Sequence, residues 1–470
     1  MGGTYHRTVV GEDRRQQAAT TSPVGGDPPG ARRVERDWIR SAALVALALA
    51  IAYFAARGVL RGWLDSGDLS VGYSGGSAWL AGSDPYAVSI LQERLAAAGG
   101  GERLVNQLEH LRNVYAPTTL PLFAPLAVLP WEGALLVWLL IDVGATVFIA
   151  VGLARLLGWR LRATATIAFT AALLALAPVH STIASGQTGL AATAALVGAL
   201  LAQRSGRAVW TAALYALAVA LKLQIGLPFL AYLAWRRWRT AAAATAILLG
   251  ATLVSVARMG LADVSWLPTW MANLTFLSGP GGINDPGPLN EDRYSLVNLQ
   301  YPLHALTSGG WADVVTYLGV GLAAGLVIWL NRGREPRLDL LALSTVAVLA
   351  LLVTYHRYYD AVLLAFPIAW AISSLRTRLW PQAAVVLVLS SDFLLPAQTA
   401  LHDLEVRGLV PGWLVANPVW EVVLIAQHAW ALVLMAVVLL WAARRDRSID
   451  ADEAASRSSS DLHGDPAGPT

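Results

Sequence analysis

Long apolar runs separated by short polar loops dominate this chain. They begin with "SAALVALALAIAYFAARGVL" at residue 41 and recur as far as "AWALVLMAVVLLWAA" at 429–443. About 20 apolar residues in a helix cross a bilayer core, whereas a β-barrel would show alternating segments of about ten, which are absent. The pattern therefore predicts an all-α integral membrane protein, a polytopic helical bundle of about twelve spans (11–13). They fall at roughly 41–60, 132–154, 163–178, 188–203, 208–222, 224–235, 240–258, 313–330, 338–354, 359–375, 381–395 and 419–441. Several are short, which predicts broken or tilted helices. "TTLPLFAPLAVLP" (118–130) is apolar but bounded by proline and too short for an ordinary crossing. It reads as a half-inserted hairpin arm, a form tolerated where the backbone is buried in protein or lines a wet cavity.

Charge orients the spans. Arginine-rich loops occur at "RLLGWRLR" (155–162), "QRSGR" (203–207), "RRWR" (236–239), "NRGREPR" (331–337), "RTR" (376–378) and "RRDR" (444–447). Short cationic loops stay in the cytoplasm, so both termini are expected inside. Segments 61–117, 179–187, 259–312, 355–358 and 396–418 then share the outer side, with 61–117 and 259–312 as large extracytoplasmic loops. In the first of these, "YAVSILQERLAAA" and "ERLVNQLEHLRN" are expected to be interfacial helices around the "GGG" at 99–101. Polar tails at 1–36 and 446–470 lack any apolar pattern and are expected to be disordered, leaving 37–445 as the membrane domain. The first apolar run starts too far from the N-terminus for an ordinary signal peptide and reads as a retained anchor.

Composition narrows the chemistry. The chain is 56% hydrophobic and 14% charged, against nearly a quarter charged in an ordinary soluble domain. A net charge of +3 is too small to argue for nucleic acid, and the absence of cysteine excludes disulfides, thiolate metal sites and cysteine nucleophiles. No Walker loop, dinucleotide fingerprint or His-Glu-x-x-His helix is present. Against that background, "LLVTYHRYYDAVLLAFPIAW" (351–370) stands out, because His356, Arg357 and Asp360 interrupt apolar sequence. A cation at the bilayer centre costs about 2.5–3.5 kcal/mol on insertion scales. These groups therefore either meet an anionic headgroup or form a wet loop with interfacial tyrosines. Lys222 is the only lysine in the chain and sits between two short apolar segments beside Gln224. It either neutralises a phosphate or snorkels from a helix end. His180 and Gln187 read as polar lining or as satisfied interior groups.

Five motifs in collinear order carry a resemblance. "DLSVGYSGGSAWLAGSDPY" holds Asp68, Tyr73, Gly82, Pro85 and Tyr86; "YAPTTLPLFAPLAVLP" begins at Tyr115; "SGQTGLAATAAL" holds Gln187; "ALAVALKLQIGLPFLAYLAWRRWR" holds Lys222; and "YHRYYD" holds His356 and Arg357. Together, over residues 37–442, they resemble the polyprenyl-phosphate-sugar-dependent glycosyltransferases of the GT-C superfamily, more narrowly glycosyltransferase family 87, bacterial membrane mannosyltransferases. Ala116 replaces a usual proline, Leu223 follows the lysine where proline is common, and "YHRYYD" lacks the usual Ser-Pro context.

The resemblance implies a GT-C-type bundle in the cell membrane with an extracytoplasmic active site and single-step inverting chemistry. It implies Asp68 as general base, with His356, Arg357, Lys222, Gln187, Tyr86 and Tyr115 binding substrate, and Asp65 and Asp84 structural. The donor would be a polyprenyl-phosphate hexose, mannose by the resemblance, and the acceptor a glycolipid or glycan among membrane lipids. No cofactor is expected, and a divalent metal stays open. The rivals are a pentosyl transferase of the same fold, such as one for arabinose, a lipid-linked-intermediate flippase or transporter, and a non-catalytic envelope scaffold. A transporter would favour internal repeats, and none is clear.

Overall fold

The structure, a computed structural model, describes residues 29–307, 310–332 and 339–462. The expectations for 1–28, for most of the cationic loop 331–337 and for 463–470 fall outside those residues. The chain divides into two units, Met1–Ala42 and Ala43–Thr470. The first is helical from Pro29 onward. The second is all helical among the described residues, apart from a single antiparallel bridge between Leu296 and Arg357.

The expected spans largely coincide with helices, yet among the described residues only five helices are long and apolar enough to cross a membrane by themselves: Asp37–Leu64, Trp131–Leu156, Trp238–Leu261, Trp311–Leu330 and Gln427–Ile449. The number rises to seven when the bent pairs Thr164–Ala175 with Ala177–Ser185 and Trp380–Leu394 with Ala397–Val406 each count as one span. The remaining apolar helices are short because polar or proline-containing breaks divide them. At 118–130 no helix crosses: 3-10 turns flank the four-residue helix Leu120–Phe123. The last helix continues to Leu462, into the polar tail. Ala, Arg and Glu are good helix formers there, and propagation from an existing helix is cheap.

The breaks position the site. Helices Ala208–Leu221 and Leu223–Arg236 share Lys222 as their junction, with φ −153° and ψ 102°. Gly226 lets the second helix press against the first, since a Cβ there would lie 2.5 Å from the Val219 nitrogen. Helix Ala177–Ser185 ends in Gly186 at φ 72°, a left-handed cap that glycine adopts without penalty. Residues 65–86, expected as loop, instead contain the helix Gly67–Leu80, packed against Phe123 through small residues. The two helices expected in the first large loop are present as Val88–Ala97 and Glu102–Gln107, the second shorter than its sequence pattern.

Candidate active site

Asp68 occupies the first turn of helix Gly67–Leu80, where the helix dipole favours an anion. Gly186 explains what lies beside it. A Cβ at Gly186 would meet the Leu69 Cβ at 2.6 Å and the Ser66 Cβ at 3.1 Å, so the 185–187 turn lies directly against that first turn. Gln187 thereby brings its side-chain amide to the Asp68 carboxyl. Its carbonyl oxygen accepts a 2.8 Å hydrogen bond from Lys222 Nζ.

Lys222 continues the network. Its ammonium pairs with Asp360 Oδ1 at 2.5 Å and lies 4.4 Å from the centre of the Tyr359 ring. The other Asp360 oxygen faces His356 Nδ1 at 3.1 Å and accepts the Arg357 backbone N–H at 3.3 Å. Lys222, His356 and Asp360 are all buried. A buried pair of opposite charges with further hydrogen bonds is the arrangement that keeps an ammonium and a carboxylate ionised away from water.

The large loop after residue 259 holds the His356–Arg357 segment. Val297 donates its N–H to the His356 carbonyl at 2.9 Å, and Asn298 Nδ2 donates to the Thr354 carbonyl at 2.6 Å. Thr354 has φ 62°, an uncommon left-handed conformation for a β-branched residue, and Asn298 tethers it. Arg357 Nη2 donates to the Ile283 carbonyl at 3.1 Å, while its buried Nε has no partner among the described residues.

Two cavities flank these groups. One, of about 420 Å³, is lined by polar and apolar surface in similar measure and includes Asp68, Arg357, Tyr359, Arg57, Arg61 and His180. Buried polar atoms with no partner among the described residues belong to side chains lining this region: Gln107 Oε1, His180 Nδ1 and Gln398 Oε1. The other, of about 400 Å³, is apolar, runs along helices Leu223–Arg236, Trp311–Leu330 and Leu340–Leu352, and ends at Gln224, Thr354 and His356. Burial pushes the Asp68 carboxyl above its usual range. Gln187, Lys222 and Arg357 act against that rise, and Asp360 adds to it.

The structure thus gathers Asp68, Gln187, Lys222, His356 and Arg357. Tyr115 joins them: burial, then Asp68, Tyr355 and Asp360, hold its hydroxyl well above the ordinary value. Tyr86 is elsewhere. It is fully buried, donates its hydroxyl to the Tyr115 carbonyl at 3.1 Å and packs near Trp266 and Trp270. It supports the loop rather than lining the cavity. Asp65 pairs with Arg103 at 3.0 Å, and Asp84 accepts from Thr269. Sequence reasoning gave no role to Asp360, Tyr359, Arg57 or Arg61. The four-residue spacing of His356 and Asp360 was the available signal for the first. Among the described residues no three or more His, Cys, Asp or Glu side chains gather as a metal site.

The family model of glycosyltransferase family 87 matches residues 113–354. The chain belongs to glycosyltransferase family 87. Family 87 membership makes it a glycosyltransferase, and its apolar spans make it a membrane protein. The match includes Tyr115, Gln187 and Lys222, while Asp68, His356 and Arg357 lie beyond its ends. No curated protein matches the chain.

Proposed function

We propose that this family 87 enzyme transfers a hexose, mannose by its resemblance, from a polyprenyl phosphate to a glycolipid or glycan acceptor on the outer face of the cell membrane. The observation that carries the reading is that consecutive residues line the two cavities: Arg357 lines the one that holds Asp68, and His356 lines the apolar cleft. A lipid-linked donor has those two characters: an apolar chain suited to the cleft and a polar phosphosugar suited to the cavity.

Asp68 takes the proton of the acceptor hydroxyl as that oxygen bonds to the anomeric carbon. The bond from that carbon to the phosphate oxygen breaks in the same step, and its electron pair leaves on polyprenyl phosphate. The anomeric centre inverts. Arg357, whose buried Nε has no partner among the described residues, supplies a charge-assisted hydrogen bond to the phosphate. His356 adds stabilisation to the developing charge. Lys222 serves the site through Asp360 and Gln187, to which its ammonium is already committed.

The test is purified enzyme incubated with several polyprenyl-phosphate sugars, pentosyl donors included, and an envelope-lipid extract, with products read by mass spectrometry. Asp68→Asn should fold and bind donor but lose turnover, because Asn keeps the size and cannot accept the proton. Near wild-type turnover in that variant would remove Asp68 as the base, and transfer from pentosyl donors alone would change the sugar.

A further inference from the structure

We propose that Asp360 is a positioning residue that holds the His356 imidazole with Nδ1–H toward itself and Nε2 toward the apolar cleft. Three observations carry this. Asp360 Oδ2 lies 3.1 Å from His356 Nδ1 and also accepts the Arg357 backbone N–H, so the carboxylate grips the ring and its own chain segment together. His356 Nε2 has no hydrogen-bond partner among the described residues, and His356 lines the cleft. Lys222, held by Gln187, pairs with the opposite Asp360 oxygen.

The bond made by one ring nitrogen decides which nitrogen is free to act. A carboxylate can only accept, so it selects the proton on Nδ1. Without it, the imidazole would sample both tautomers and the flipped ring. Lys222 keeps the carboxylate an acceptor by balancing its charge. The same lysine reaches Asp68 through Gln187, so one ammonium braces both the imidazole and the carboxyl on which the proposed reaction depends. The inference rests on the reading that His356 faces the donor phosphate, to which Nε2 donates once it too carries a proton.

Asp360→Asn alone is a poor test, since it would leave an ammonium buried without its counter-charge. Replacing both members of a buried pair by apolar groups of similar size is often neutral for folding. The test therefore compares Lys222→Met/Asp360→Leu with Lys222→Met/Asp360→Asn, holding the lysine change constant. Both should melt near wild type in detergent. With a polyprenyl-phosphate mannose as probe, the Leu variant should lose at least about tenfold in kcat with donor KM changed by less than about threefold. The Asn variant, whose carbonyl still accepts from Nδ1–H, should regain a large part of that loss.

Nitrogen-15 histidine spectra, with His356→Gln identifying the signal by difference, should show protonated Nδ1 in the wild type and mixed tautomers in the Leu variant. Equal turnover in the two double variants, or an unchanged tautomer in the Leu variant, would overturn the proposal and leave a purely structural ion pair. Should the wild type transfer no sugar from any donor, the transferase reading fails, while the spectra still decide whether Asp360 sets the ring.

Discussion

Asp68 is held between opposing influences, and their balance decides where it titrates. Burial raises its affinity for a proton; Gln187, Lys222 and Arg357 lower it, and Asp360 raises it again. The net shift is upward from 3.8. A general base works only when deprotonated, so activity falls as pH drops through the raised value. We therefore expect the acid limb of kcat/KM above the ordinary carboxylate range. Arg357→Ala should move that limb to still higher pH, because a cation favouring the ionised form is gone. A limb that stays at 3.8 or shifts downward in the variant would contradict this assignment. The same substitution should weaken donor binding at least about tenfold, the scale of about 1.5–3 kcal/mol for a charge-assisted bond to phosphate. Arg357→Lys should recover only part, since an ammonium lacks the planar fork. Binding of a polyprenyl phosphate to the two variants measures both effects.

At the scale of elements, the site depends on breaks more than on helices. The Gly186 turn places Gln187, the Lys222 junction places the ammonium, and the 353–357 segment places His356 and Arg357. Gly186→Ala should be costly on two grounds. A left-handed backbone disfavours any L side chain by about 1–2 kcal/mol, and the added Cβ would lie 2.6 Å from the Leu69 Cβ. The expected result is a lower melting temperature in detergent together with reduced turnover, as Gln187 and the first turn bearing Asp68 move apart. A wild-type melt and rate would show that the turn adapts freely. The helices themselves were legible, because a run of apolar residues needs only length to announce itself. Helix Gly67–Leu80 was not, since Gly72, Ser74, Gly75 and Gly76 are poor formers when isolated and gain their helix from packing against Phe123 and Asn113. Lys222, His356 and Arg357 were legible as charges out of place in apolar sequence, and Asp68 through the motif that carries the resemblance. Asp360 was visible in the same stretch, four residues from His356, but its role also depends on Lys222, a partner that sequence distance conceals. The place of Tyr86 was not legible, because an aromatic in a motif looks the same whether it braces a loop or touches a ligand.

For the whole molecule, helix length and charge argue together for where the site lies. Ala208–Leu221 and Leu223–Arg236 have 14 residues each, about 21 Å at 1.5 Å per residue, short of the ~30 Å hydrocarbon core. If the arginine loops "QRSGR" and "RRWR" lie in the cytoplasm, Lys222 ends these helices below the opposite boundary. The reaction would then take place recessed in the membrane, within a protein-lined cavity that permits non-helical backbone at that depth. Such a position suits a donor whose tail stays in the bilayer. The proposed orientation predicts a labelling pattern. The chain has no cysteine, so single cysteines report without background. Glu102 and Ser205 are both exposed, and they lie in segments assigned to opposite sides. In intact cells, Glu102→Cys should react with a membrane-impermeant thiol reagent, and Ser205→Cys should react only after the membrane is permeabilised. Glu102→Cys tests the loop that contains Asp68, so its failure to label would remove the acceptor from the outer face. The reverse pattern would place the same cavity on the cytoplasmic side and require a donor displayed there.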